Sequence, residues 1–141
     1  MIRIKRIRDF EGEDVVLLAA DGTGIDTLPS ALADAQRAGW SRLPGADRVH
    51  DFVIEAGAAH MELWDDCALW RLDPGKATEI VEKLRVLSAS GRPGHHYVDD
   101  MSGPAPTLVL SRDEYLAPSW LTAGRDPLFG GFAPGASDES P

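Results

Sequence analysis

The sequence predicts an α+β fold with two layers, in which an antiparallel or mixed sheet of about five to seven strands is covered by two helices in the order ββ-α-βββ-α-ββ. Three observations carry this. Two segments place apolar residues at helical spacing on one face only, and such helices must cover a sheet. Several short runs alternate at period two. Acids are scattered through those runs, which argues against a parallel core buried on both faces.

Ile2 and Ile4 alternate with Arg3 and Lys5, so residues 2–8 read as a first strand with one wet face. Glu11-Gly12-Glu13-Asp14 has the composition of a turn, and Val15–Ala19 follows as a strand buried on both faces, pairing antiparallel with the first. Asp21-Gly22-Thr23-Gly24 ends that strand, and a helix is expected from Asp26 or Thr27, either of which can cap it. Pro29 is tolerable in the first turn. Leu28, Ala31, Leu32, Ala35 and Ala38 form its apolar face, and Gly39 stops it.

Trp40–Asp47, with Pro44 and Gly45, reads as loop. Three strands then follow over Asp51–Ala56, His60–Trp64 and Cys67–Leu72, joined by hairpin-length connections at Gly57-Ala58-Ala59 and Asp65-Asp66. Asp73 is an N-cap with Pro74 in first position. Ala77, Ile80, Val81, Leu84 and Leu87 make the stripe of the second helix, Glu79 and Lys83 pair one turn apart, and Gly91 ends it. His95–Asp100 reads as a short strand and Thr107–Ser111 as the last one. Residues 1–129 are expected to form one domain and 130–141 a disordered tail, since Gly130-Gly131 and Pro134-Gly135 bury too little to offset ordering entropy. No repeat of 20–50 residues is visible.

Composition bounds the function. The chain has 141 residues, 43% hydrophobic and 26% charged, with a formal charge of −9 and a pI near 4.7. Phosphate neutralisation needs a basic surface, so nucleic acid is excluded as a partner, and anionic lipid for the same reason. No apolar run reaches membrane-spanning length and Met1–Lys5 lacks a signal-peptide core, so a cytoplasmic location is expected. The charge is uneven: residues 1–8 carry Arg3, Lys5, Arg6 and Arg8 and no acid (+4), leaving 10 basic against 23 acidic side chains elsewhere (−13). A basic first strand of this kind could pair with an acidic strand of a second copy, giving a homodimer.

Five side chains could carry chemistry. His60 and Glu62 project together from a strand, and His95, His96 and Asp99 offer imidazoles beside a carboxylate. Were the strands neighbours, these would make a metal site or a general-base pair, so a small metal-dependent or acid–base enzyme is the alternative reading. Against it, no HExxH pattern is present and no cofactor is expected. Cys67 follows Asp65-Asp66, and acids push a thiol pKa upward, so this cysteine reads as structural. The turn Asp21–Gly24 is neither a GxxxxGK[ST] nor a GxGxxG loop.

Four tryptophans, at positions 40, 64, 70 and 120, remain. Trp70 alternates with Leu72 as core, while Trp40 and Trp120 fall beside Gly39 and Pro118. Exposed tryptophans near acids are the anchors and charged rim of a protein interface. The binding residues expected are Trp40, Trp64, Asp65, Asp66, Asp99 and Asp100, facing a basic protein.

Two stretches carry a resemblance: Asp21-Gly22-Thr23-Gly24-Ile25-Asp26-Thr27-Leu28, and His95-His96-Tyr97-Val98-Asp99 with Leu108-Val109-Leu110-Ser111-Arg112-Asp113-Glu114-Tyr115. The chain resembles, in these, the small immunity proteins of bacterial polymorphic toxins. The resemblance implies a compact acidic α+β protein that binds and blocks a cognate toxin, and it supplies no catalytic residues.

Overall fold

A computed structural model describes residues 1–116. Trp120 and the expected tail at 130–141 lie outside the described residues. The described chain has two helices and eight strands: β1 (Ile2–Phe10), β2 (Glu13–Ala20), α1 (Gly22–Ala38), β3 (Trp40–Pro44), β4 (Val49–Ile54), β5 (Ala59–Leu63), β6 (Cys67–Leu72), α2 (Pro74–Ser90), β7 (Gly94–Val98) and β8 (Thr107–Arg112). The class is α+β, in the order ββ-α-ββββ-α-ββ.

The strands form two four-stranded mixed sheets, β1-β2-β8-β7 and β3-β4-β6-β5, in place of the single sheet expected. The first two strands are antiparallel as predicted. However, β2 then pairs parallel with β8, and β4 parallel with β6, so β5 lies outside β6 and not between them. The connection Glu55–Ala58 is therefore a crossover to the sheet edge, and of the two connections expected as hairpins only the one at Asp65-Asp66, between β5 and β6, is a hairpin.

Both helices feed one core. Ile25, Leu28, Leu32 and Ala35 of α1 and Ala77, Ile80, Val81, Leu84 and Leu87 of α2 pack with Ile4, Leu18, Leu108 and Leu110 of one sheet and with Phe52, Met61, Trp70 and Leu72 of the other. The α2 stripe is the one the sequence spelled out. The first helix starts earlier than expected, because the Asp21 side chain accepts from the Gly24 N–H at 2.9 Å and caps it there. Ala38, assigned to the buried face, is exposed. Trp40–Pro44 is a strand and not a loop, since Pro44 sits at its end and on the sheet edge, where its missing N–H costs nothing.

The two sheets repeat each other. In each, two antiparallel hairpins meet along a central parallel pair, and the strand after which a helix begins (β2, β6) is one member of that pair. Both helices have 17 residues, both are capped by an aspartate (Asp21, Asp73), and both end on a glycine in the left-handed region (Gly39, φ 90°; Gly91, φ 67°), 52 residues apart in each case. Smaller features match as well. Ala46 N–H reaches from the β3–β4 loop to the Ile2 carbonyl, and Ser102 N–H from the β7–β8 loop to the Ala59 carbonyl, each at 2.8 Å. Ile2 and Ala59 are register partners of Ala20 and Leu72, the residues just before the two caps. The chain thus contains a pseudo-twofold pair of ββββα units, with the unit holding both termini circularly permuted.

Candidate functional site

Register fixes which side chains the second sheet turns away from the core. Phe52, Met61 and Trp70 point inward, so their neighbours point out. The outer face has three cross-strand rows, read from β3 to β5. They are Trp40–Val53–Arg71–His60, then Arg42–Asp51–Leu69–Glu62, then Pro44–Val49–Cys67, continued by Trp64, whose N–H donates to the Cys67 carbonyl. None of these side chains is buried, and among the described residues no element covers them. Trp40 and Trp64 stand at opposite corners, 51% and 59% exposed, roughly 20 Å apart by strand spacing and rise.

The corresponding face of the first sheet differs. Leu17 and Val109 occupy the places of Leu69 and Asp51 and are fully buried. The centre of that face is apolar and closed, with charged and exposed side chains (Lys5, Tyr97) only at its edges, whereas the centre of the second sheet's face carries the Asp51 carboxylate and is open. Arg42 grips Asp51 with two hydrogen bonds of 2.7 and 3.2 Å, which holds the Asp51 carboxyl below its ordinary range. Arg71 binds Glu55 at 2.9 Å and Glu62 at 3.1 Å. The Cys67 thiol donates to Asp51 at 3.4 Å. Burial first, and then this carboxylate, raises its pKa. The shift has the expected direction, but Asp51 on the neighbouring strand outweighs the adjacent Asp66 as its cause.

Four of the six expected binding residues, Trp40, Trp64, Asp65 and Asp66, border this face, the last two exposed in the β5–β6 turn. Asp99 and Asp100 do not. They follow β7 in the β7–β8 loop, and Asp99 lines a cavity of about 240 Å³ on the first sheet with Phe10, Glu11, Glu13 and Tyr97.

The alternative set is divided between the sheets. His60 and Glu62 lie on β5, 3.8 Å apart, with Glu62 already bound by Arg71. His95 and His96 lie on β7, where His95 Nδ1 is 2.9 Å from Glu114. Among the described residues no three His, Cys, Asp or Glu side chains come together as metal ligands.

Of the four histidines, the one outside the expected set of His60, His95 and His96 is the buried one. His50 is fully buried under the β3–β4 loop and accepts a hydrogen bond at Nδ1 from Trp70 Nε1 at 3.1 Å. That bond places the proton on Nε2, which has no hydrogen-bond partner among the described residues. Burial lowers its pKa to about 4. No described helix is long and apolar enough to cross a membrane. No family model, curated protein or solved structure matches the chain.

Proposed function

We propose that the protein is a non-enzymatic binding module of the immunity type, which neutralises a basic partner protein such as a toxin through the open face of the β3-β4-β6-β5 sheet. The observation that carries this reading is the contrast between two equivalent faces. One is closed over Leu17 and Val109, while the other stays open with tryptophans at its corners and acids in its turn. A solvated face with aromatic anchors and an acidic rim suits association with a basic surface, where complementary fields speed encounter and suppress wrong partners. The resemblance to toxin-immunity proteins points to the same activity, and the −13 body supplies the field.

The test is capture from the native host with wild type and with a Trp64→Ser/Asp65→Asn/Asp66→Asn variant. A basic protein, encoded beside this chain, should be held by wild type, released by moderate salt and lost with the variant. Capture of the same protein that is indifferent to both the salt and the three substitutions would overturn the proposal.

A further inference from the structure

The middle row of the open face is Arg42–Asp51–Leu69–Glu62, with a cation on one edge strand and an anion on the other. Two copies could stack these faces about either of two in-plane twofold axes. An axis across the strands sets Arg42 against Arg42, Asp51 against Asp51 and Glu62 against Glu62. An axis along the strands, between β4 and β6, exchanges the edges. It sets Arg42 against Glu62, Pro44 against Trp64 and Asp51 against Leu69, each of them twice. The middle row lies closest to the centre, so the roughly −30° twist between packed sheets displaces it least.

We infer that the chain self-associates face to face through this sheet, about the axis that sets Arg42 of each copy against Glu62 of the other. The idea stands apart from toxin binding, since self-association needs no other protein. Arg42 is the more exposed member of its ion pair, with 58% of its side chain free against 14% for Asp51, so it can reach across while keeping Asp51. Three rows across four strands span roughly 14 by 14 Å, well under the ~800 Å² per partner of a standard interface. The association is therefore weak and concentration-dependent, and a larger partner would displace it. The first strand is less available for the same purpose at its start, because the Ile2 carbonyl already accepts from Ala46.

The test is light scattering on four samples up to about 1 mM, the weak end of specific affinities. Wild type should dimerise as concentration rises. Arg42→Glu and Glu62→Arg should each stay monomeric, since each places like charges against each other. An equimolar mixture of the two should dimerise again, because every facing pair in the mixed dimer is once more opposite in sign. Circular dichroism of each single variant checks that it folds, and an Arg42→Gln/Glu62→Gln variant, expected to associate more weakly than wild type, replaces any that does not. Monomeric wild type throughout the range would overturn the inference, as would single variants that associate like wild type.

Discussion

Asp26 on α1 accepts a hydrogen bond from the Ser88 hydroxyl on α2 at 2.5 Å, and ten residues further along α1 the Gln36 amide donates to the Thr78 hydroxyl at 3.0 Å. With a 52-residue offset, Asp26 corresponds to Thr78 and Gln36 to Ser88, so each bond is the pseudo-twofold image of the other. The helices are consequently antiparallel, with the axis near Ala31 and Lys83. Both bonds are exposed, which limits each to about 0.5–1 kcal/mol. Ser88→Ala and Gln36→Ala should each lower unfolding free energy by that amount. The bonded pairs are roughly 15 Å apart along the helix, so the double variant should lose the sum. Denaturant titration at constant m-value checks it.

The two N-caps should behave alike in one respect and differ in another. Among the described residues the Asp73 side chain accepts only from the Lys76 N–H, at 2.7 Å, whereas that of Asp21 accepts from Gly24 N–H and also from the Met1 ammonium at 2.8 Å. The ammonium is the larger cause holding the Asp21 carboxyl below its ordinary range. Asp73→Ala should cost about 1 kcal/mol. For Asp21→Ala the cost should be similar, since an exposed ion pair adds little and is screened by salt. The salt dependence of the difference between the two variants, measured by thermal melts, is the discriminating readout.

Legibility in the sequence followed the range of the interactions. The second helix was readable in full because its cap, Pro74, stripe and Gly91 are all local signals. The first helix lost its opening turn because Gly22-Thr23-Gly24 looks like a break, and only the Asp21 bond to Gly24 shows that it is the first turn. Pro44 and Gly45 hid β3 by turn composition. The parallel pairing of Val15–Ala20 with Thr107–Arg112 joins segments at opposite ends of the chain, which no local pattern encodes. The repeat stayed hidden for a related reason. At a 52-residue offset only Leu17/Leu69, Asp21/Asp73, Leu32/Leu84 and Gly39/Gly91 coincide among residues 15–39, and the β1–β2 and β5–β6 turns differ in length. Of the binding residues, Asp65-Asp66 was legible as a turn and Trp64 as the end of the strand before it, but the partnership of Trp64 with Trp40 on one face needed the strand order.

Cys67 gives a chemical check on the open face. Its thiol is held protonated by burial and by the Asp51 carboxylate, so alkylation by iodoacetamide near pH 8 should run several-fold slower in the folded protein than in urea. Asp51→Asn removes the charge but keeps an acceptor, and should speed the folded-state reaction. An unchanged rate in that variant would show that burial alone controls the thiol.

His50 makes stability fall in acid, with a defined window. The folded imidazole is neutral down to about pH 4 because burial disfavours the cation, while the unfolded one titrates near 6.5. Asp47 and Asp51 favour the cation and Arg48 opposes it, so the facing charges only moderate the effect of burial. Between those values the unfolded chain binds the extra proton, and unfolding free energy therefore rises with pH. Going from pH 7 to below 4, this one group should cost about 3 kcal/mol, at ~1.36 kcal/mol for each pH unit separating the folded and unfolded titrations. His50→Phe removes the proton and also the acceptor for Trp70 Nε1, so it should be less stable than wild type at pH 7 by about 1–3 kcal/mol. Its loss between pH 6.5 and 4 should be smaller than that of wild type. Urea titrations of both proteins at pH 7, 5.5 and 4.5 measure the difference in slope, and parallel slopes would mean that His50 is not the residue responsible.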